Sequence, residues 1–506
     1  MAGLVNQQPT KNGEQASGNF SKMQDIITIL DAEYVDSIQR DALFEETISD
    51  MLHKLDPHSN YIPASELKLA NEQLDGKFGG VGIRFALIRD TLCVTNVVEG
   101  SPSQRVGVKA GDRIIIIDGK SIAGKKIKNE QVMGMLKGVE NTAVTVQLLR
   151  NKTRITKTIT RGLIPIASIV CAEMIEGTTG YIRLDQFSIA SADEFHAAAL
   201  SLLSKGMKKL IFDLRDNGGG VLGGAVQIAD EFLVKGREIV DIRGKNQPNR
   251  PYVAEEGGLL ENIPTVVLVN ENSASASEIV AGALQDNDRA TIVGRRTFGK
   301  GLVQQDFLLR DRSNLRLTIA RYFTPSGRCI QKPFDGNIEN YYQDGIEREK
   351  NGEYFAPDST LFKNSKKYKT IGGRTVYGGG GIMPDRFVAL DTSNSSLYYI
   401  SLRYSPAFQN FAFDFVSNKR GNWKSIQQFN AQFVPSDEVM QSFVKFASSK
   451  IKIPFNATDF KRSYSLIQDA LKAEIARQLF VEEGYFFVQA AGDNEIQVAL
   501  SILRKK

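Results

Sequence analysis

Two short apolar runs constrain this chain more than any other feature. Lys209-Leu210-Ile211-Phe212-Asp213-Leu214-Arg215 and Thr265-Val266-Val267-Leu268-Val269 each read as a buried strand. Each leads through small residues into a helical pattern, one beginning near Gly223 and one over residues 275–285. Gly180-Tyr181-Ile182-Arg183-Leu184 predicts a further strand and residues 192–205 a helix. Strands alternating with helices over residues 163–385 argue for an α/β layered core, because each apolar sheet face needs helices to cover it.

The period of the pattern changes on either side. Over residues 20–69 it is helical, with Met23, Ile26, Ile27 and Leu30 on one face and a second helix over residues 40–55 that ends at Asp56-Pro57-His58-Ser59. Residues 74–162 hold short strands and glycine turns. Phe78-Gly79-Gly80-Val81-Gly82-Ile83-Arg84-Phe85 is a glycine-rich lead-in to a strand, Ile114 to Ile117 an apolar strand, and Asp118-Gly119 a hairpin dipeptide. This order predicts a small β-sandwich or barrel with one or two helices. Beyond Asp385 the stripes are helical: residues 437–447 capped by Ser436, residues 459–479, and residues 494–504. They read as an accessory helical domain.

Bulk properties narrow the function. The 506 residues suffice for roughly three or four domains. With 42% hydrophobic and 24% charged residues, a sizeable core is available. The net charge of +5 is small for this length, and no Lys/Arg block suggests nucleic acid. Cys93, Cys171 and Cys329 lack CxxC spacing and read as structural thiols. No apolar run reaches membrane-span length. Residues 1–18 are polar and lack the apolar core of a signal peptide, which fits both a mature exported domain and a cytosolic protein with a polar tail.

The chemistry centres on Asn272-Ser273-Ala274-Ser275-Ala276-Ser277-Glu278 and Thr297-Phe298-Gly299-Lys300-Gly301. Ser275 falls at a strand-to-helix turn, where a side chain is presented and backbone N–H groups are unpaired. The chain has three histidines, His53, His58 and His196, and none adjoins this segment. The nearby base is Lys300, set between two glycines. A charged lysine is no base, so burial has to lower its pKa toward the operating pH. Asp213-Leu214-Arg215-Asp216-Asn217-Gly218-Gly219-Gly220 ends a buried strand and offers a backbone N–H to a reacting carbonyl.

These segments, with Tyr322-Phe323-Thr324-Pro325-Ser326-Gly327-Arg328 and Tyr377-Gly378-Gly379-Gly380-Gly381-Ile382-Met383-Pro384-Asp385, resemble the carboxyl-terminal processing, or tail-specific, proteases over residues 20–385. The resemblance implies an α+β multidomain chain: an N-terminal helical region (20–73) and a PDZ domain (74–162) inserted into a ClpP/crotonase-like α/β protease core (163–385). The C-terminal helical domain (386–506) is read from its stripes and lies outside the match. It implies Ser275 as nucleophile, Lys300 as general base, and Gln304 orienting the lysine. Ala276 and Gly219 N–H would form the oxyanion hole, with Asp286 supporting the site. Gly80, Val81, Gly82 and Ile83 would hold a substrate's terminal carboxylate by strand addition. Two positions depart from the family pattern. Gly218 stands where proline is usual, and Lys137 where many members have arginine.

The resulting expectation is peptide hydrolysis through an acyl-enzyme, without cofactor or metal, on proteins with accessible C-terminal tails. The family implies a bacterial periplasm or cell envelope. A homo-oligomer through the helical regions and an adaptor protein are further expectations. Two other readings are a non-catalytic PDZ scaffold and an enoyl-hydratase-like enzyme. The second explains neither the PDZ segment nor Lys300.

Overall fold

The two apolar runs form adjacent central strands, and their burial shows why. The computed structural model describes residues 13–246, 251–255, 257–356 and 365–505. The first twelve residues of the polar start therefore lie outside the described residues. The chain forms two compact units, one of residues 1–67, 304–318 and 334–341, the other of residues 68–303, 319–333 and 342–506.

In the larger unit a six-stranded sheet runs in the order Ile169–Glu176, Thr179–Leu184, Lys209–Asp213, Thr265–Val269, Ala290–Gly294, Arg386–Phe387. The first pair is antiparallel and each later pair is parallel. Side chains alternate across it with a period of two. Leu210, Phe212, Val267 and Val269 pack on one face with Phe195, Ala225, Ile279 and Val280 of the helices Ser191–Ser204, Leu222–Asp230 and Ala276–Asp286. Ile211, Val266, Leu268 and Val293 pack on the other. Both faces are covered, so all five residues of Thr265–Val269 are buried.

What covers the second face differs from the expectation of a wholly accessory C-terminal region. Ile496, Ala499, Leu500 and Leu503 of the last helix, Asn494–Arg504, lie against it. The other C-terminal helices share an aromatic cluster in which Phe408 and Phe411 meet Phe443 at 4.8 and 5.4 Å between ring centroids. The stripe read as one helix over 459–479 is broken at Ser463 into Ala457–Arg462 and Tyr464–Ala490. Ser463 is buried and its hydroxyl bonds the Asn394 carbonyl (2.6 Å).

The chain leaves the core along Lys77–Gly80 and returns along Gly162–Pro165, paired antiparallel, so the segment between is an insertion on a two-strand stalk. It forms a sheet in the order Ile83–Leu87, Leu92–Val97, Arg113–Ile117, Ala143–Arg150, Thr153–Thr160. The helix Asn129–Leu136 closes its core through Val132 and Leu136. Ile83–Leu87 is an edge strand. Phe413 of the helix Ala407–Val416 is buried with Ala86, Ile88 and Cys93 of this insertion. Arg84–Glu482 (3.1 Å) and Arg89–Asp414 (2.6 Å) flank that contact.

In the smaller unit the helices Gly13–Glu33 and Arg40–His53 leave Met23, Ile26, Leu30, Leu43, Phe44 and Met51 exposed. A strand that the sequence reading missed, Asn60–Ile62, lies antiparallel to residues 314–316. Its local alternation is too short to register as a strand, and its pairing partner is more than 250 positions away.

Candidate active site

Three neighbouring parallel strands deliver their C-terminal loops side by side, and this builds the site. Lys209–Asp213 runs into the glycine loop, Thr265–Val269 into the serine turn, and Ala290–Gly294 into the lysine loop. The carboxyl ends of parallel strands are where open α/β sheets form sites.

Ser275 has φ 55° and ψ −113°, backbone space that a non-glycine residue occupies at a cost of about 1–3 kcal/mol. The strain sets the serine apart from its neighbours. Buried Ser273 accepts the Asn270 N–H (2.9 Å) and donates to the Leu214 carbonyl (2.8 Å). Buried Ser277 donates to the Asn217 carbonyl (2.9 Å). Both hydroxyls fasten the turn to the glycine loop. The half-buried Ser275 hydroxyl makes no hydrogen bond to the glycine loop among the described residues. Its N–H is held instead by the Glu278 carboxylate (2.9 Å).

Glu278 is the functional residue that the sequence reading missed. It is fully buried and accepts four hydrogen bonds. Oε1 takes Thr297 Oγ1 (2.5 Å) and Gly299 N–H (2.7 Å), and Oε2 takes Lys300 N–H (2.8 Å) and Ser275 N–H (2.9 Å). One carboxyl thus fixes the backbone of the lysine loop to the backbone of the serine. Burial pushes its pKa up from 4.5 to about 7, against the lowering effect of those four bonds. Its signal was the Ser-x-x-Glu spacing of a capping box, Ser275 to Glu278. The Tyr322 hydroxyl adds a second tie, lying 2.8 Å from the Lys300 carbonyl oxygen and 3.2 Å from that of Ser275.

The lysine loop is held along its length. Phe298 N–H donates to the Ser273 carbonyl (3.0 Å), and Thr297 N–H to that of Ile382 (3.1 Å). Gly299 has φ +91°, and a Cβ there would lie 3.1 Å from both Gly381 N and Lys332 Cβ. Lys300 is half-buried. The glycines flanking it thus serve close packing and a left-handed backbone.

The two N–H groups expected to form the oxyanion hole are placed unequally. Ala276 N–H is the first of its helix and has no main-chain acceptor among the described residues. Gly219, at φ +99°, lies directly against the turn: a Cβ on it would sit 2.7 Å from Ser275 Cβ and 2.9 Å from Ala276 N. Its N–H, however, donates to Asn217 Oδ1 (2.9 Å). Asn217 is buried, with Nδ2 on the Leu184 carbonyl and its own carbonyl accepting Ala274 N–H (3.0 Å).

Asp286 ends the same helix that Ser275 begins. Fully buried, it pairs with fully buried Arg328 (2.8 Å) and accepts Thr324 Oγ1 (2.5 Å) and Ser326 N–H (3.1 Å). Its partners make it the anchor of the turn after Tyr322. Gln304 belongs to the smaller unit, where its Nε2 donates to the His58 carbonyl.

In the inserted domain, Gly80, Val81, Gly82 and Ile83 lead into the edge strand. The Gly82 carbonyl accepts Val98 N–H (3.0 Å) and Ser101 Oγ (3.1 Å), and the Val81 carbonyl accepts Ser103 N–H (3.0 Å). Lys137 pairs with Glu72 and lies 4.5 Å over the Phe78 ring at the stalk. No group of three or more His, Cys, Asp or Glu residues suited to a metal occurs among the described residues. Nor is any described helix long and apolar enough to cross a membrane.

The pattern of peptidase family S41 matches residues 178–340, that of a PDZ domain residues 79–160, and that of a family of unknown function residues 398–481. The chain is 39% identical over 331 residues to a carboxy-terminal-processing protease of Bartonella bacilliformis, covering 64% of this chain and 75% of that protein. It is 33% identical over 330 residues to a probable CtpA-like serine protease of Staphylococcus aureus, covering 65% of this chain and 66% of that one. Among solved structures, the photosystem II D1 C-terminal processing protease is 30% identical, with a TM-score of 0.36 over 62% of this chain and 84% of that one.

Proposed function

Because this chain belongs to the carboxy-terminal-processing serine proteases of peptidase family S41, we propose that it cleaves peptide bonds through an acyl-enzyme formed on Ser275, with Lys300 as general base. One observation carries the assignment. Of three serines in the turn, Ser275 alone is strained and has a hydroxyl not engaged by the glycine loop, and Glu278 ties its backbone to that of Lys300.

In this mechanism neutral Lys300 takes the Ser275 proton as Oγ attacks the substrate carbonyl. The oxyanion forms against Ala276 N–H at the helix N-terminus, where the helix dipole favours it. Gly219 N–H is the second donor once Asn217 Oδ1 releases it. Lys300, now protonated, gives its proton to the leaving amine. It then takes one from the water that attacks the acyl group and returns it to Ser275 Oγ as the ester bond breaks. Asp286 keeps the turn after Tyr322 in place. The PDZ domain takes the substrate's C-terminal tail: its carboxylate goes to the N–H groups of the Gly80–Ile83 loop and its backbone to the free edge of Ile83–Leu87.

Ser275→Ala and Lys300→Ala test the chemistry in a casein or quenched-peptide assay, with fluorophosphonate labelling of Ser275. Both variants should stay folded and lose cleavage by more than 100-fold. A folded Lys300→Ala protein with near-normal turnover would remove lysine from the mechanism. Failure of the unmodified chain to label or cleave would leave a PDZ scaffold.

The exposed apolar stripe on Gly13–Glu33 and Arg40–His53 supports a homo-oligomer in which a second copy covers it. Light scattering should show Phe44→Glu shifting the protein to monomer. The family likeness supports work in a bacterial periplasm or cell envelope and delivery of substrates by an adaptor protein. Cell fractionation, and capture of proteins by the Ser275→Ala variant, test these.

A further inference from the structure

The roots of the glycine loop and the lysine loop are joined by a residue far from both in sequence. Arg215 stands four positions before Gly219. Asp213 engages its Nε (2.9 Å), its Nη2 (2.6 Å) and its N–H (3.0 Å). Arg295 stands five positions before Lys300. Its N–H donates to the Val269 carbonyl (3.1 Å) and its Nε to Glu271 (2.7 Å), in the loop that leads to Ser275. The remaining Nη1 of each arginine goes to Glu495, in the first turn of the last helix. Oε1 accepts Arg295 (2.5 Å) and Oε2 accepts Arg215. Asp493, which caps that helix through Ile496 N–H (3.0 Å), shares Arg215 Nη1 (2.8 Å).

All three residues of the bridge are less than a tenth exposed: Arg215 8%, Arg295 6% and Glu495 8%. With so little exposure, removal of the shared carboxylate takes away the counter-charge that lies between the two guanidinium groups, and each keeps only its other partners, Asp213 and Asp493 for Arg215 and Glu271 for Arg295. They relieve this by moving apart, and each carries a catalytic loop with it. The last helix cannot follow, because its apolar side is fixed on the core sheet through Ile496, Ala499, Leu500 and Leu503. Glu495 is therefore a fixed point on a rigid element, against which the roots of two loops are registered.

We infer that Glu495 is a positioning residue for catalysis, setting the distance between the oxyanion loop and the lysine loop from the C-terminal helix. This rests on the serine–lysine reading of the site. It gives the C-terminal helical region a role in turnover and leaves tail recognition to the PDZ domain. A group of this kind acts on kcat, because misplacement of about 1 Å at the reacting atoms costs about 100-fold.

The test is Glu495→Gln in the full chain, measured on a tail-bearing peptide well below the melting temperature. The expected result is a fall in kcat of about 10–100-fold with a matching fall in fluorophosphonate labelling. KM, and the affinity of the chain for a C-terminal peptide, should stay within about twofold because the PDZ residues are untouched. Asp493→Asn touches Arg215 but not Arg295, so kcat should fall less than about threefold. If Glu495→Gln does not fold, Glu495→Gln with Arg295→Gln removes one charge of each sign and still lacks the bridge, so low kcat is again expected. Unchanged kcat in whichever variant folds overturns the inference, even if the melting temperature drops. Ser275→Ala run alongside separates the two ideas: if it still cleaves, the nucleophile assignment has failed and not the bridge.

Discussion

Replacement of Glu278 by glutamine should slow the enzyme at neutral pH without a comparable loss of stability. The carboxyl accepts four bonds, two on each oxygen. A protonated Glu278 can give its proton to Thr297 Oγ1 and still accept all three N–H groups. Glutamine cannot. Its better orientation puts the amide oxygen toward Ser275 N–H and Lys300 N–H and the NH2 toward Thr297. Gly299 N–H then faces an amide nitrogen, and a buried donor left unpaired costs about 1–3 kcal/mol. Since that donor lies in the lysine loop, the expected loss in kcat is about 10–100-fold.

Stability behaves differently because of the raised pKa. The folded carboxyl titrates near 7 and the unfolded one near 4.5. The unfolded chain gives up its proton first, so the contribution is full below about pH 4.5 and is lost as pH rises through about 7, a change of about 3 kcal/mol. Glutamine has no such titration. Urea unfolding of the two proteins across this range should show the advantage of glutamate shrinking by about 3 kcal/mol with rising pH. Above pH 7 the variant should then be about as stable as the parent yet slower on a quenched-fluorescent peptide. A stability gap that does not change with pH, or a kcat within twofold of the parent, would refute the reasoning about Glu278.

Gly219→Ala should abolish labelling of Ser275 while the protein remains folded. The new Cβ would lie 2.7 Å from Ser275 Cβ at φ +99°, a strain of about 1–3 kcal/mol placed on the nucleophile itself. Gly82→Ala should leave hydrolysis of a short, tail-less peptide intact and weaken binding of a C-terminal peptide by about tenfold or more in fluorescence anisotropy, since its Cβ would meet Ser101 Cβ at 2.2 Å. Asp286→Asn leaves fully buried Arg328 without its counter-charge, so urea unfolding should report a loss of about 3–5 kcal/mol.

Much of the core was legible because its signals are local. The run Thr265–Val269 is a strand with the bounds read from its composition, and Asn494–Arg504 is a helix with the bounds read from its stripe. The helix behind Ser275 begins one position later than expected. The expected nucleophile was narrowed by spacing to Lys300 and by the family pattern. The structure adds a physical ground for that choice: the hydroxyls of Ser273 and Ser277 are occupied by Leu214 and Asn217. Glu278 was visible as spacing but was not read, since a capping box is the ordinary meaning of Ser-x-x-Glu. Glu495 had no signal at all. In sequence it is an acidic residue at a helix start, where the helix dipole alone would account for it.

From sequence alone came the parts that depend on neighbours along the chain: buried strands, the serine turn, the glycines around Lys300 and the inserted domain. Tertiary structure alone decided what those parts touch. Which strands lie side by side is set by pairing between segments tens of residues apart, and that pairing places the three loops together. It turns the Gly219 N–H toward Asn217, gives Glu278 its four donors, and brings the last helix under the sheet so that Glu495 reaches two arginines. Periodicity encodes which face of an element is apolar. It does not encode which other element will cover that face, or which buried charge the cover will bring with it.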